Sequence, residues 1–104
     1  MRRMAFKMQL LKGFETEYKK RHDEIWPELT MLLKAAGISE YSIFLDETTN
    51  CLFGVLKASN PAALDSLATN AVMQRWWQQM ADIMETRPDN SPVSVPLKEV
   101  FYLS

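Results

Sequence analysis

The 104 residues suffice for one domain, residues 1–104, with a single core and no room for a second. Lys plus Arg number 12 against 13 for Asp plus Glu, and a net charge of −1 leaves no field to recruit nucleic acid or an anionic membrane, so a small neutral ligand is the expected partner. No apolar run reaches the length of a membrane span, the start Met1-Arg2-Arg3 lacks the long apolar run and cleavage site of a signal peptide, and the single Cys51 has neither a disulfide partner nor a companion metal ligand; no membrane, no metal and a cytoplasmic location are expected.

Phe6, Met8 and Leu10 alternate with Ala5, Lys7 and Gln9, which predicts a first strand over Met4–Leu11, ended by Lys12-Gly13. A helical stretch follows from Phe14 to Ala36, with Gly37 placed to close its last turn in the left-handed conformation. Pro27 interrupts it. Proline cannot donate to the preceding turn and disfavours helical geometry at Trp26, so the pattern predicts either a kink between Asp23 and Trp26 or a second helix that begins at Pro27.

Within that stretch lies the only histidine. Residues three or four apart share a helix face, so Tyr18, His22 and either Ile25 or Trp26 form one stripe of phenol, imidazole and apolar or indole side chain. Taken alone, such a stripe is more often that of a structural histidine with a backbone partner than of a proton-transfer site; the chemistry of the residues shifts the balance. Histidine is the side chain whose unperturbed charge changes near neutral pH, and Tyr18 can hydrogen-bond whatever His22 acts on.

Tyr41, Ile43 and Leu45 alternate as a second strand, the turn Glu47-Thr48-Thr49-Asn50 follows, and Cys51–Leu56 completes a hairpin. Asn60-Pro61 reads as a cap with proline at the first position of a short helix through Ala68; Asn70 caps another whose apolar residues, from Val72 to Met84, cover more than one stripe. Pro88-Asp89-Asn90-Ser91-Pro92 is a loop, and Leu97–Leu103 alternates as a last strand.

The order strand, helix, strand, strand, helix, strand with right-handed crossovers gives an α+β, ferredoxin-like antiparallel sheet with its helices on one face. Phe44, Val100 and Tyr102 alternate toward the other face, and two-fold packing of two sheets, a dimeric α/β barrel, would cover them. Trp76 and Trp77 are adjacent, hence about 100° apart on a helix, so one can pack while the other lines a cleft; either can also be an ordinary core residue. Tyr41 opens its strand near the sheet end, while Asp89, Asn90 and Ser91 bring short polar groups on a stiff loop.

Lys7-Met8-Gln9, Tyr18-Lys19-Lys20-Arg21-His22, Ile25-Trp26-Pro27-Glu28-Leu29, Gln74-Arg75-Trp76-Trp77 and Pro88-Asp89-Asn90-Ser91-Pro92-Val93 together resemble the L-rhamnose mutarotases, in the right order from Phe6 to Leu103. The resemblance implies a homodimer of ferredoxin-like fold that interconverts the α and β anomers of L-rhamnose or a related 6-deoxy sugar without a cofactor. By the same resemblance His22 is the proton donor, and Tyr18, Tyr41, Trp76 and Trp77 bind sugar. Ring opening needs only a proton for the ring oxygen and removal of another from the anomeric hydroxyl, which one acid/base histidine suits. Two rivals share the architecture: dimeric α/β-barrel monooxygenases or haem-degrading proteins, whose preparations would be coloured if they hold haem, and a sugar-binding module that leaves anomer exchange no faster than buffer does.

Overall fold

In a computed structural model describing residues 2–104, β1 (Arg2–Gln9) begins earlier than its alternation predicts, because Arg2 and Arg3 find ladder partners in Ala58 and Lys57 at the end of β3 (Cys51–Ala58). The predicted hairpin joins β2 (Ile38–Asp46) to β3, and Asn50 ends its turn at φ 60° with its amide bonded to the Asp46 carbonyl at 2.8 Å. The sheet order is β2-β3-β1-β4, every neighbouring pair antiparallel, which is the ferredoxin-like arrangement.

Between β1 and Gly37 lie two helices, α1 (Glu15–Asp23) and α2 (Pro27–Ala35). Trp26 is extended at φ −63° and ψ 133°, the region into which a following proline drives its neighbour, and Pro27 takes the first helical position, where a missing N–H is harmless. Of the two alternatives, the chain therefore takes the new start over the kink. The Tyr18–His22 stripe consequently stops at His22, and Ile25 and Trp26 lie beyond the helix. Gly37 closes α2 at φ 88°, as expected of a left-handed C-terminal residue.

After β3, Pro61–Thr69 winds as a 3₁₀ helix. The Ser66 and Thr69 hydroxyls bond the carbonyls of Ala63 and Ser66, three residues back, and so favour the tighter winding; Asn60 stands at the start without a side-chain cap bond. Asn70 does cap α3 (Ala71–Met80), accepting from the Val72 N–H at 2.9 Å.

The last strand departs from the sequence expectation. β4 is Ser94–Leu97, paired with β1 from Met8 to Ala5, while residues 98–104 have no regular structure. Pro96 is tolerated within β4 because this is an edge strand. The ladder stops at Ala5 and Leu97, although Met4, Arg3 and Arg2 of β1 lie beyond it. Arg3 ties the tail by side chains instead, with Nε 3.3 Å from a Glu99 carboxylate oxygen and its guanidinium 3.9 Å over the Tyr102 ring.

All helices cover one face of the sheet. Met8, Leu10 and Leu52 from the strands pack with Tyr18, Leu29, Trp76, Met80 and Ile83 in the main core. The opposite face carries a cross-strand row of Phe44, Phe53, Lys7 and Val95, and Phe44 is 62% exposed. Val100 and Tyr102, expected beside Phe44 as strand residues, are exposed in the irregular tail. Among the described residues no helix is long and apolar enough to cross a membrane.

Candidate active site

His22 occupies the last turn of α1, where its Nδ1 lies 3.1 Å from the Tyr18 carbonyl one turn back. A carbonyl only accepts, so Nδ1 carries the hydrogen and the neutral ring keeps its lone pair on Nε2. The Tyr18 ring stacks on the imidazole with centroids 4.3 Å apart and planes at 30°, and Trp76 meets it edge-on at 5.4 Å and 90°. Trp26, which the break at Pro27 removed from the helical stripe, returns edge-on to Trp76 at 5.1 Å. Burial pulls the imidazole below its ordinary value of 6.5, outweighing the Tyr18 carbonyl and Asp23, both of which favour the charged form. At neutral pH the ring is therefore uncharged.

Tyr18 is the one buried residue of α1, so apolar packing alone fastens this helix weakly. Arg21 supplies a second anchor. Its Nη1 donates to the Gln79 carbonyl at 2.7 Å and to a carboxylate oxygen of Asp82 at 2.8 Å, joining α1 to the end of α3 one residue away from His22. The sequence reading gave Arg21 no role beyond its place in the Tyr18–His22 motif, because the Asp82 partner is 61 residues distant and no local spacing signals it.

The predicted site residues converge. A cavity of 560 Å³ is lined by Tyr18, His22, Tyr41, Trp76 and Trp77 together, with Met73, Met80 and Met84 in its apolar wall, and its size suits a small ligand. A larger, adjoining space of 1110 Å³ shares Tyr18, His22, Tyr41 and Trp76 and extends past Lys19, Lys20, Glu24 and Lys34 without reaching Trp77. Trp76 is only 6% exposed and forms the wall behind His22, whereas Trp77 is half-buried. Tyr41 is 38% exposed as a residue, yet burial of its hydroxyl end pushes that phenol up to about 12, and burial also holds the Tyr18 phenol well above its ordinary value. Both hydroxyls thus stay protonated and able to donate.

Asp89 and Ser91 reach the same cavity, as does Arg87, which the sequence reading did not single out. The loop is stiffened from within. Arg87 donates to the Pro92 and Ser94 carbonyls at 2.9 and 3.3 Å, and one Asp89 carboxylate oxygen accepts from both the N–H and the hydroxyl of Ser91. An arginine immediately before Pro88 was the available signal, since a guanidinium can satisfy several carbonyls of a tight loop at once.

A ferredoxin-like sheet whose helices roof a cavity of one histidine, two phenols and two indoles is an α+β architecture able to offer proton transfer and ring stacking to a small ligand. The comparisons narrow that class. A sequence profile described as L-rhamnose mutarotase matches residues 3–103. An L-rhamnose mutarotase of Mesorhizobium japonicum is 60% identical over 96% of this chain and 95% of its own, and one of Formosa agariphila is 57% identical over 99% of each. The crystal structure of an L-rhamnose mutarotase from Formosa agariphila superposes with a TM-score of 0.93 at 56% identity, covering 100% of both chains. The chain belongs to the L-rhamnose mutarotase family. A structure titled as an antibiotic biosynthesis monooxygenase, at 13% identity and a TM-score of 0.51, shares the fold alone.

Proposed function

We propose that this protein interconverts the α and β anomers of L-rhamnose, with His22 moving the proton. The observation that carries the reading is the imidazole whose Nδ1 is engaged by the Tyr18 carbonyl, leaving Nε2 as its exchangeable position beside the cavity. Both oxygens that must change protonation, the anomeric hydroxyl and the ring oxygen, are bonded to the same carbon, so one Nε2 can serve them in turn. Neutral His22 takes the anomeric proton; the bond from the anomeric carbon to the ring oxygen breaks, and the imidazolium returns a proton to the released oxygen. Rotation of the aldehyde and the reverse sequence give the other anomer. The Tyr18 and Tyr41 phenols donate to the oxygen bearing negative charge, and Trp77 lies against the C–H face and methyl group. Arg87, Asp89 and Ser91 offer hydroxyl partners at the loop side.

The test is saturation-transfer NMR across free sugars. L-rhamnose should exchange its anomeric signals faster than buffer in proportion to protein concentration, with L-fucose and D-glucose slower; equal acceleration of all three would remove the assignment to L-rhamnose. Replacing Trp77 by Leu should weaken L-rhamnose binding while leaving the fold intact, and unchanged affinity would make Trp77 a packing residue.

The pH dependence has a definite sign. The mechanism starts from the neutral imidazole, which exists above the folded-state pKa, so the catalysed rate is level at neutral pH and falls as pH drops through that pKa. Burial places it below 6.5, so the midpoint of the acid limb is expected below pH 6.5. A midpoint above that value contradicts the neutral resting form.

The same reading includes a cytoplasmic homodimer, supported by the lone cysteine and by the apolar row Phe44, Phe53 and Val95 on the uncovered sheet face. Light scattering at micromolar concentration should give about twice the chain mass of 12.0 kDa. A monomer at that concentration sinks the dimer.

A further inference from the structure

We infer that Glu40 is a positioning residue for Tyr41, because the irregular step it makes in β2 turns the Tyr41 ring from the open face of the sheet into the cavity; the inference rests on the proposed role of Tyr41 in sugar binding. Side chains along an unbroken strand alternate between faces. Ile38 is buried on the helix side, so strict alternation would send Tyr41 and Ile43 to the opposite face. Ile43 instead packs against the main core on the helix side, and Tyr41 lines the cavity with it. One residue has been inserted. The register locates it: Ser39 faces Lys57 and Ser42 faces Val55, leaving Glu40 and Tyr41 together opposite Leu56.

Glu40 sits at φ 48°, the left-handed region that residues with a Cβ seldom adopt. Its Oε2 pairs with Lys57 Nζ, but the two side chains remain 67% and 40% exposed, so the ion pair adds little and the backbone conformation is the operative feature. The redirected ring has a prepared seat. Phe6 meets Tyr41 edge-on at 6.2 Å and 69°, and Phe6 can lie there only because its ladder partner is Gly54, where a Cβ would strike the Phe6 ring. A strained bulge, an aromatic and a glycine on three adjacent strands thus act on one side chain.

The test is a set of L-rhamnose titrations followed by tryptophan fluorescence, with circular dichroism confirming the fold. Glu40→Gly, free to adopt positive φ, should bind as the wild type does. Glu40→Val, β-branched and penalised there, should bind about tenfold more weakly, the loss of one good hydrogen bond. In a Tyr41→Ala background Glu40→Val should add no further loss, because the ring it misplaces is gone. If Tyr41→Ala weakens binding and Glu40→Val does not, the positioning role is overturned; if Tyr41→Ala leaves binding unchanged, the sugar-binding role beneath it is overturned instead. Should Glu40→Val fail to fold, Glu40→Ala takes its place with the same expected order, Gly tighter than Ala, and equal affinities for the two overturn the inference.

Discussion

Trp76→Ala is expected to lower the unfolding free energy by about 3–5 kcal/mol, the range for removing a large aromatic side chain from a packed core. The indole is 6% exposed, joins Met80, Leu29 and Ile83 in the main core, and meets both His22 and Trp26 edge-on. Its loss leaves a void where α1, α2 and α3 converge, and those helices are otherwise joined there by few polar ties. For a domain of this size each kcal/mol shifts the thermal midpoint by about 4–8 °C. Urea denaturation of the two tryptophan variants side by side is the check: Trp77→Leu, at a half-buried position, should cost at most about 1–2 kcal/mol. Near-equal losses would mean that the two indoles do not divide into wall and contact surface.

What the sequence made legible follows from local periodicity. Alternation in Phe6–Leu10 and Tyr41–Leu45 reported strands, and Pro27 and Gly37 marked helix ends, because each signal depends on neighbouring residues alone. Even so, Pro27 is compatible with a kink as well as a new start; the structure shows the new start, with Trp26 extended and also edge-on to Trp76, fifty residues on. The last strand was misplaced for the opposite reason. Leu97–Leu103 alternates as well as any strand in the chain, but a strand exists only where it pairs, and the ladder with β1 stops at Ala5 and Leu97, after which Arg3 holds the tail through Glu99 and Tyr102. Tyr18, His22, Tyr41, Trp76 and Trp77 were singled out as a sugar site only through the motifs that resemble the L-rhamnose mutarotases. Their convergence depends on the bulge at Glu40 and the Arg21–Asp82 tie, neither of which leaves a mark in local spacing.

The second large effect concerns His22. His22→Ala is expected to cut the protein-catalysed anomer exchange by roughly a hundred- to ten-thousand-fold, the usual worth of a positioned general acid/base. The substitution leaves the Tyr18 carbonyl without its imidazole donor at the end of α1, but the Arg21 bonds to Asp82 and Gln79 still fasten that helix. The sugar contacts proposed for Tyr41 and Trp77 do not pass through the imidazole. Affinity and rate should therefore separate, with L-rhamnose binding retained and turnover lost.

The direct measurement is saturation transfer between the two anomeric proton signals of L-rhamnose, recorded for the wild-type protein and for His22→Ala at equal concentration, with circular dichroism and a binding titration on the same samples. The account predicts exchange well above the buffer rate for the wild type, and exchange close to that rate for a variant that is folded and still binds the sugar. A folded His22→Ala protein that keeps most of the wild-type exchange contradicts it, and would make His22 a structural residue bonded to the Tyr18 carbonyl.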